Sequence, residues 1–288
     1  MEKTYDIAII GTGPAGLSAA INGAIRNKNI ILFGNDKLTT KLQKAPEINN
    51  YLGFYGISGS ELGEHFKKHI GNMDIKITEE KVNAIYAMGS SFSIMVNKKE
   101  YAASTVILAT GIEFTKHIKG ESEFLGSGVG YCATCDAPLY RDKIVVIIGY
   151  NEEAEEEANY LSELAKKLYY VPMKNISGKL RADIEIINDI PVEIKGSERV
   201  ERIQFKNREI LTDGVFILKE SLPPAQLVLG LEIINGHIVT DRSMKTNIKG
   251  CYAAGDCTGK PYQYIKAAGE GQVAALNAVA HLDSIKYL

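Results

Sequence analysis

Apolar and polar positions follow two rhythms along this chain, and the rhythm changes at glycines. Tyr5 to Ile10 is a short, mostly apolar run and reads as a buried strand. It enters Gly11-Thr12-Gly13-Pro14-Ala15-Gly16, after which Leu17, Ala20, Ile21, Ala24 and Ile25 recur at helical spacing. Asn29 to Phe33 is a second strand. The result is a βαβ unit with Gly-x-Gly-x-x-Gly at its first turn. The first glycine permits the tight turn, the second lets a pyrophosphate approach the backbone, and the third lets helix and strand pack closely. The helix N-terminus offers N–H groups and a positive dipole end to phosphates. Alone the motif is weak, but between a strand and a helix it points to a dinucleotide. The acid expected after the second strand has a displaced candidate, Asp36, behind Gly34-Asn35.

Lys37 to Tyr55 reads as a polar loop and Glu61 to Ile70 as a helix. Asp74 to Asn97 alternates, which predicts a small antiparallel layer containing Phe92 to Val96. Thr105 to Gly111 is a further buried strand ending in Ala109-Thr110-Gly111, where a cofactor can lie close to the backbone. A plain core strand with a glycine stop gives the same letters. Lys143 to Gly149 repeats the strand-to-glycine pattern, but the turn reads Gly149-Tyr150-Asn151-Glu152-Glu153-Ala154 and keeps only the first glycine. The next helix opens on Glu152, Glu153, Glu155, Glu156 and Glu157. Acids suit a helix N-terminus and repel a phosphate there. Its apolar face, Ala154, Ala158, Leu161, Ala165 and Leu168, is ordinary. No arginine cluster for a ribose 2′-phosphate follows the strand Leu168 to Met173. A nucleotide-type fold with its ligand chemistry lost is the expectation. Asp183 to Phe216 reads as strands and turns. Ala253-Ala254-Gly255-Asp256 then ends a strand in a tight turn bearing a carboxylate, and a last helix is expected from about Gln263 to Leu282.

The 288 residues suffice for two domains, and 45% hydrophobic with 24% charged residues is ordinary for a globular chain. A formal charge of −2 gives no case for nucleic acid or an anionic membrane, and no apolar run reaches the length of a membrane span. Met1 to Asp6 lacks a basic region followed by an apolar stretch, so no signal peptide is expected and the cytoplasm is the default. There, Cys132-Ala133-Thr134-Cys135, followed by Asp136, reads as a redox dithiol. Half of a zinc site and a chance pair give the same spacing, but a structural zinc needs four ligands. Cys251 and Cys257 have no nearby histidine and read as small buried hydrophobes. His65 and His69 stand four apart without a third ligand, as on a solvated helix face.

Taken in order, Gly11-x-Gly13-x-x-Gly16, Ala109-Thr110-Gly111, Cys132-Ala133-Thr134-Cys135-Asp136, and Ala253-Ala254-Gly255-Asp256 with Gln263 and Ala267-Ala268-Gly269 resemble the low-molecular-weight thioredoxin reductases over nearly the whole chain. The resemblance implies an α/β protein of two Rossmann-like three-layer nucleotide-binding domains. An FAD-binding domain, 1–113 and 240–288, is interrupted by a smaller NAD(P)-type domain, 114–239, that carries the dithiol. It implies FAD contacts at Gly11, Gly13, Pro14, Ala15, Gly16, Asn35, Lys41, Asn50, Val82, Ala109, Thr110, Gly111, Gly255, Asp256, Gln263, Tyr264 and Ile265. It also implies a homodimer, Cys135 as the thiol nearest the flavin, Cys132 as the thiol that attacks thioredoxin, and Asp136 as proton donor and acceptor. Rotation of the middle domain is expected, with hinges near Ile112–Lys116 and Gly236–Asp241.

The departures from that family lie in its nucleotide motifs. The second glycine turn is degraded, and the His-Arg-Arg…Arg signature for NADPH is absent after Val171. The Gly-His-x-Pro-Asn-type segment stands as Lys219-Glu220-Ser221-Leu222-Pro223, and the Gly-Gly-Gln-Leu segment as Thr39-Thr40-Lys41-Leu42. Tyr262 replaces an arginine, and Ala137 a glycine. This pattern is similar to the pyridine-nucleotide-independent branch, the ferredoxin-dependent flavin thioredoxin reductases. Disulfide reduction takes two electrons and a ferredoxin delivers one, so a flavin is needed to store both. Only two cysteines remain beyond the pair, too few to hold an iron–sulfur cluster in this chain. Two other readings stay open: NADPH or NADH bound weakly by the altered domain, and a flavin-binding sensor whose dithiol reports redox state. A basic docking patch for an acidic ferredoxin is expected, with Lys41, Lys44, Lys67 and Lys68 as candidates that also read as ordinary surface.

Overall fold

Strand β1 (Thr4–Ile10) is buried on both faces over Ile7, Ala8, Ile9 and Ile10. Continuous burial marks a central parallel strand. Its chain passes through the glycine turn into α1 (Pro14–Ile25), where Pro14 at the first turn gives up an N–H that has no intrahelical partner. From α1 it returns as β2 (Ile30–Phe33), parallel to β1 with Ile10 beside Phe33. α2 (Thr40–Gln43) and α3 (Gly59–Asn72) follow, and a Ser58–Glu61 capping box starts α3. β3 (Ile77–Thr78), β4 (Ala84–Ala87), β5 (Phe92–Val96) and β6 (Lys99–Leu108) complete this stretch. Their order is β3-β2-β1-β6-β5-β4, with β4 and β5 antiparallel, so the expected antiparallel layer extends the same sheet. The computed structural model describes residues 4–36, 38, 40–96, 99–112, 118–151, 153–219 and 224–285. It forms two compact units, Met1–Glu113 with Pro223–Leu288, and Phe114–Leu222.

The second unit holds β7 (Val129–Gly130), α4 (Ala133–Asp136), β8 (Ile144–Gly149), α5 (Glu153–Ser162) and β9 (Lys167–Pro172). β10 (Glu185–Ile186), β11 (Pro191–Gly196), β12 (Val200–Phe205), β13 (Glu209–Leu211) and β14 (Gly214–Leu218) follow. Five strands form a parallel sheet in the order β10-β9-β8-β14-β7, and β11-β12-β13 form an antiparallel one. The side-chain period of two splits β8 between two cores. Val146 and Ile148 join Ile194, Ile203 and Phe205 of the antiparallel sheet. Val145 and Ile147 join Ala154, Ala158 and Leu161 of α5, together with Ala133 and Ala137 beside the dithiol. The unit is thus three layers, and the dithiol turn is seated on its helical side.

The first unit resumes with α6 (Pro224–Leu227), β15 (Ile233–Ile234), β16 (His237–Ile238), β17 (Cys251–Ala253) and α7 (Tyr264–Ile285). β17 pairs with the end of β6, Ala253 beside Leu108, beyond the point where β5 leaves it. α7 lies tight on α1: a Cβ on Gly271 would stand 2.0 Å from the Ala15 carbonyl oxygen. The return differs from the expectation at 240, because residues 223–239 belong to the first unit. Leu227, Val228, Leu231 and Ile238 are buried there, and Val228 bridges Ile85 of β4. Each such side chain contributes about 1.5–3 kcal/mol of burial. Gly236 is the turn of the β15–β16 hairpin rather than a hinge between units. Of the other expected hinge, residues 113–116 lie outside the described residues. No helix among the described residues is long and apolar enough to cross a membrane.

Candidate active site

Cys132 and Cys135 are joined by a disulfide, with S–S 2.07 Å and Cα–Cα 5.4 Å. β7 delivers the chain to this point. A Cβ on Gly130 would stand 2.7 Å from the Phe216 ring and 3.2 Å from Asp136 Oδ2, so only a glycine lets the turn close. Cys132 is half-buried, while Thr134 and Cys135 are exposed. The Cys135 N–H donates to Cys132 Sγ at 3.3 Å, and Thr134 Oγ1 lies 3.4 Å from the same sulfur. The Ala133 and Thr134 N–H groups instead donate to Glu157 Oε2 of α5, at 2.7 and 3.3 Å. Asp136 is half-buried, and burial pushes its carboxyl above the usual range. Such a shift suits a proton donor near neutral pH.

Behind the dithiol lies a buried charged group that no local pattern in the sequence announces. Glu121 Oε1 accepts from Lys219 Nζ at 2.7 Å and from the Tyr131 hydroxyl at 2.7 Å, and Glu121 Oε2 accepts from the Ile118 N–H at 2.9 Å. Burial works against this carboxylate's charge. The bonds from Lys219, Tyr131 and Ile118 outweigh it and hold the carboxyl below its ordinary value.

The degraded glycine turn between β8 and α5 is filled by the chain's own polar groups. Gly149 survives because a Cβ there would stand 2.1 Å from the Tyr170 hydroxyl. Asn151 Oδ1 accepts the Ala154 N–H of α5 at 3.0 Å, and Asn151 Nδ2 donates to the Lys219 carbonyl at 3.3 Å. Glu155, 1% exposed, accepts the Ser177 N–H at 2.6 Å, the Ser177 hydroxyl at 2.8 Å and the Lys179 N–H at 3.1 Å. Burial opposes its charge too, and those bonds prevail and keep its carboxyl low. The loop after β9 therefore spends its donors on an internal carboxylate. Of the acids at the helix start, Glu155 and Glu157 also have separate structural partners.

In the first unit, the glycine turn, the end of β6 and the Gly255 turn converge. A Cβ on Gly11, whose φ is +118°, would stand 2.3 Å from the Ala109 carbonyl oxygen, and one on Gly16 would stand 1.8 Å from the Gly11 carbonyl oxygen. Gly13 has open space on its Cβ side, and α1 starts there with no side-chain cap. Ala15 lies beside Gly255, and Gly111 follows the end of β6. Thr110 Oγ1 is buried with no hydrogen-bond partner among the described residues. Thr12 Oγ1 donates to the Asn35 carbonyl and accepts the Asn35 N–H, at 2.9 and 3.1 Å. Asn50 Nδ2 donates to Gln263 Oε1 at 2.7 Å, which joins two expected residues far apart in sequence. Tyr264 is half-buried, and burial raises its phenol pKa. Val82 is buried and Ile265 exposed. The Lys41 side chain lies outside the described residues.

Asp256 opens a short 3-10 turn, which a charged network that no motif announces holds in place. Glu270 Oε2 accepts the Gly255 N–H at 2.8 Å and the Thr258 hydroxyl at 3.0 Å, while Lys266 Nζ donates to the carbonyls of Gly255 and Gly259 at 3.1 and 2.7 Å. Its signal was present, since Lys266 and Glu270 stand four apart on α7. Cys251 and Cys257 are buried, and burial pushes their thiols up to about 12 and about 11. They are inert at neutral pH.

A dithiol on one nucleotide-type unit and an intact glycine cradle on another define a two-domain disulfide oxidoreductase. The family model described as pyridine nucleotide-disulphide oxidoreductase matches residues 5–271. The chain belongs to that family and, within it, to the thioredoxin reductases. It is 34% identical over 306 residues to a thioredoxin reductase of Treponema pallidum, covering 99% of this chain and 100% of that one. Two solved structures of a ferredoxin-flavin thioredoxin reductase from Clostridium acetobutylicum superpose with TM-scores of 0.94 and 0.89, at 63% and 58% identity. Each covers 99% of this chain and 100% of its own. Thioredoxin reductases are FAD-binding flavoproteins. The residues present fit that group: Gly13 opens on empty space at an uncapped helix start, and the buried Thr110 hydroxyl has no hydrogen-bond partner among the described residues.

Proposed function

We propose that this protein passes electrons from reduced ferredoxin, through FAD, to Cys132–Cys135 and on to a thioredoxin disulfide. The observation that carries the choice of donor is the filled nucleotide turn. Asn151 caps α5, and Glu155 takes the loop donors that a dinucleotide phosphate would need. The 63% identity to a structure described as a ferredoxin-flavin thioredoxin reductase supports the same reading. Gly11, Gly13, Gly16, Thr110, Asp256 and Gln263 would hold FAD, which would supply a store that accepts electrons singly and gives them up in pairs.

The chemistry of the chain's own residues then balances. The Cys132–Cys135 bond takes up two electrons and two protons and becomes two thiols. The Cys132 thiol gives up its proton, and the thiolate attacks one thioredoxin sulfur. A mixed disulfide forms, the thioredoxin S–S bond breaks, and the expelled thiolate takes a proton. Asp136, whose raised pKa suits it to both roles, takes the Cys135 proton. The Cys135 thiolate attacks Cys132 Sγ, restores the internal disulfide and expels the second thioredoxin thiolate, which takes the proton from Asp136. The dithiol meets its reductant and thioredoxin in turn, so the middle unit rotates between the two encounters, and the working assembly is a homodimer.

The test is a Cys132→Ser and Cys135→Ser pair assayed with ferredoxin and thioredoxin. Cys132→Ser should leave flavin reduction by ferredoxin intact and abolish thioredoxin reduction. Turnover retained in Cys132→Ser overturns the assignment of the attacking thiol.

A further inference from the structure

We propose that Glu157 is a positioning residue for the redox dithiol: it withholds two backbone donors from Cys132 and places a negative charge beside the attacking sulfur. Three N–H groups follow Cys132 in its turn, those of Ala133, Thr134 and Cys135. Only that of Cys135 donates to Cys132 Sγ, at 3.3 Å. The other two converge on one carboxylate oxygen, Glu157 Oε2, at 2.7 and 3.3 Å. Donors to a thiolate stabilise it, and a neighbouring like charge opposes it. Glu157 therefore does both things that keep a thiolate basic.

The arrangement is built into the fold rather than left to a surface side chain. Ala133 is fully buried against Ala154, Ala158 and Leu161, so α5 and the dithiol turn share one core. Glu157 projects from the same helix. Titratable or charged groups near Cys132 among the described residues include Cys135 and Asp136 on its own turn, Tyr140 beside Asp136, and Tyr131 with its buried partners Glu121 and Lys219. Replacing Glu157 with glutamine leaves all of them in place and changes the local charge by one.

The consequence is a more basic and more nucleophilic thiolate. Intrinsic nucleophilicity falls as thiol pKa falls, with a Brønsted slope of about 0.4–0.5. A dithiol that donates electrons to thioredoxin gains from the basic end of that trade once it is deprotonated. The inference rests on Cys132 as the attacking thiol in the proposed function. Its test uses a small alkylating agent, so a failure of thioredoxin turnover and a failure of this inference read out separately.

The test is the pH profile of iodoacetamide alkylation of reduced, FAD-loaded protein in a Cys135→Ser background. Cys132 is then the reactive thiol, since Cys251 and Cys257 are buried. Glu157→Gln should lower the profile's midpoint by about one pH unit. On the acid limb about tenfold more thiolate is offset by about threefold lower nucleophilicity, so the rate rises about threefold. On the alkaline plateau the rate falls about threefold, and the two profiles cross. Glu157→Ala, which removes charge and acceptor together, should cross in the same sense and serves if the glutamine variant folds poorly. A midpoint that stays in place or rises, or two limbs that move together as a general loosening of the turn would move them, overturns the proposal.

Discussion

The Glu121–Lys219 pair offers a sharp test of how the dithiol unit is held. The two side chains are 1% and 4% exposed, and they join residues 98 apart in sequence. Glu121→Gln leaves a buried ammonium without its carboxylate, and breaking a buried pair in this way costs about 3–5 kcal/mol. Lys219→Met keeps an apolar stem, and Glu121 retains its bonds from Tyr131 and Ile118, so its loss should be smaller, about 1.5–3 kcal/mol. The double variant removes both charges, and its loss should fall short of the sum by about 2 kcal/mol. Thermal unfolding of the FAD-loaded protein reads this directly, with Tm falling by about 10 °C in Glu121→Gln. The pH dependence has a definite sign. The Glu121 carboxyl is held below its ordinary value, so its contribution is present above the unfolded pKa and is lost as pH falls through the folded one. The gap between parent and Glu121→Gln should therefore close in acid. Strict additivity in the double variant, or a Glu121→Gln within about 0.5 kcal/mol of the parent, refutes the reasoning.

Other outcomes follow from the same geometry. Asp136→Asn should slow thioredoxin reduction by about 10²–10³-fold, as removal of a general acid–base does. It should also raise stability at neutral pH: a carboxyl whose pKa is raised by burial favours the fold only while protonated and loses that contribution as pH rises through the folded value. A Tm for Asp136→Asn below the parent's at neutral pH counts against the burial argument. Glu270→Gln should loosen the Gly255–Asp256 turn and weaken FAD binding about tenfold, read from free flavin fluorescence on dilution. Unchanged affinity there means the turn holds its shape without the charge.

Much of this architecture is legible along the chain because it is written in local periodicity. Gly11, Gly13 and Gly16 follow an apolar run and precede a helical stripe, and the structure supplies the reason for each in a Cβ clash or an open face. The dithiol is legible for the same reason, since Cys132 and Cys135 close on each other within one turn. Long-range pairing is not written there. Glu155 reads as one acid among several at a helix start, and only the fold brings Ser177 and Lys179 to it across 22 and 24 residues. Glu121 and Lys219 sit in segments with no motif of their own. Where the chain returns to the first unit is not legible, because residues 224–239 offer only a short helix and a two-residue-strand hairpin, too little periodicity to show which core they join.

The proposed function has the middle unit carry its dithiol without binding a nucleotide. It is met most directly by anaerobic reduction of the FAD-loaded protein, followed by flavin absorbance. One sample receives NADPH or NADH, and the other receives chemically reduced ferredoxin, each with thioredoxin as acceptor. The account predicts bleaching and thioredoxin reduction with ferredoxin and neither with the nicotinamides. Fast bleaching by NADPH contradicts it, and would mean that a nucleotide is held despite Asn151 and Glu155.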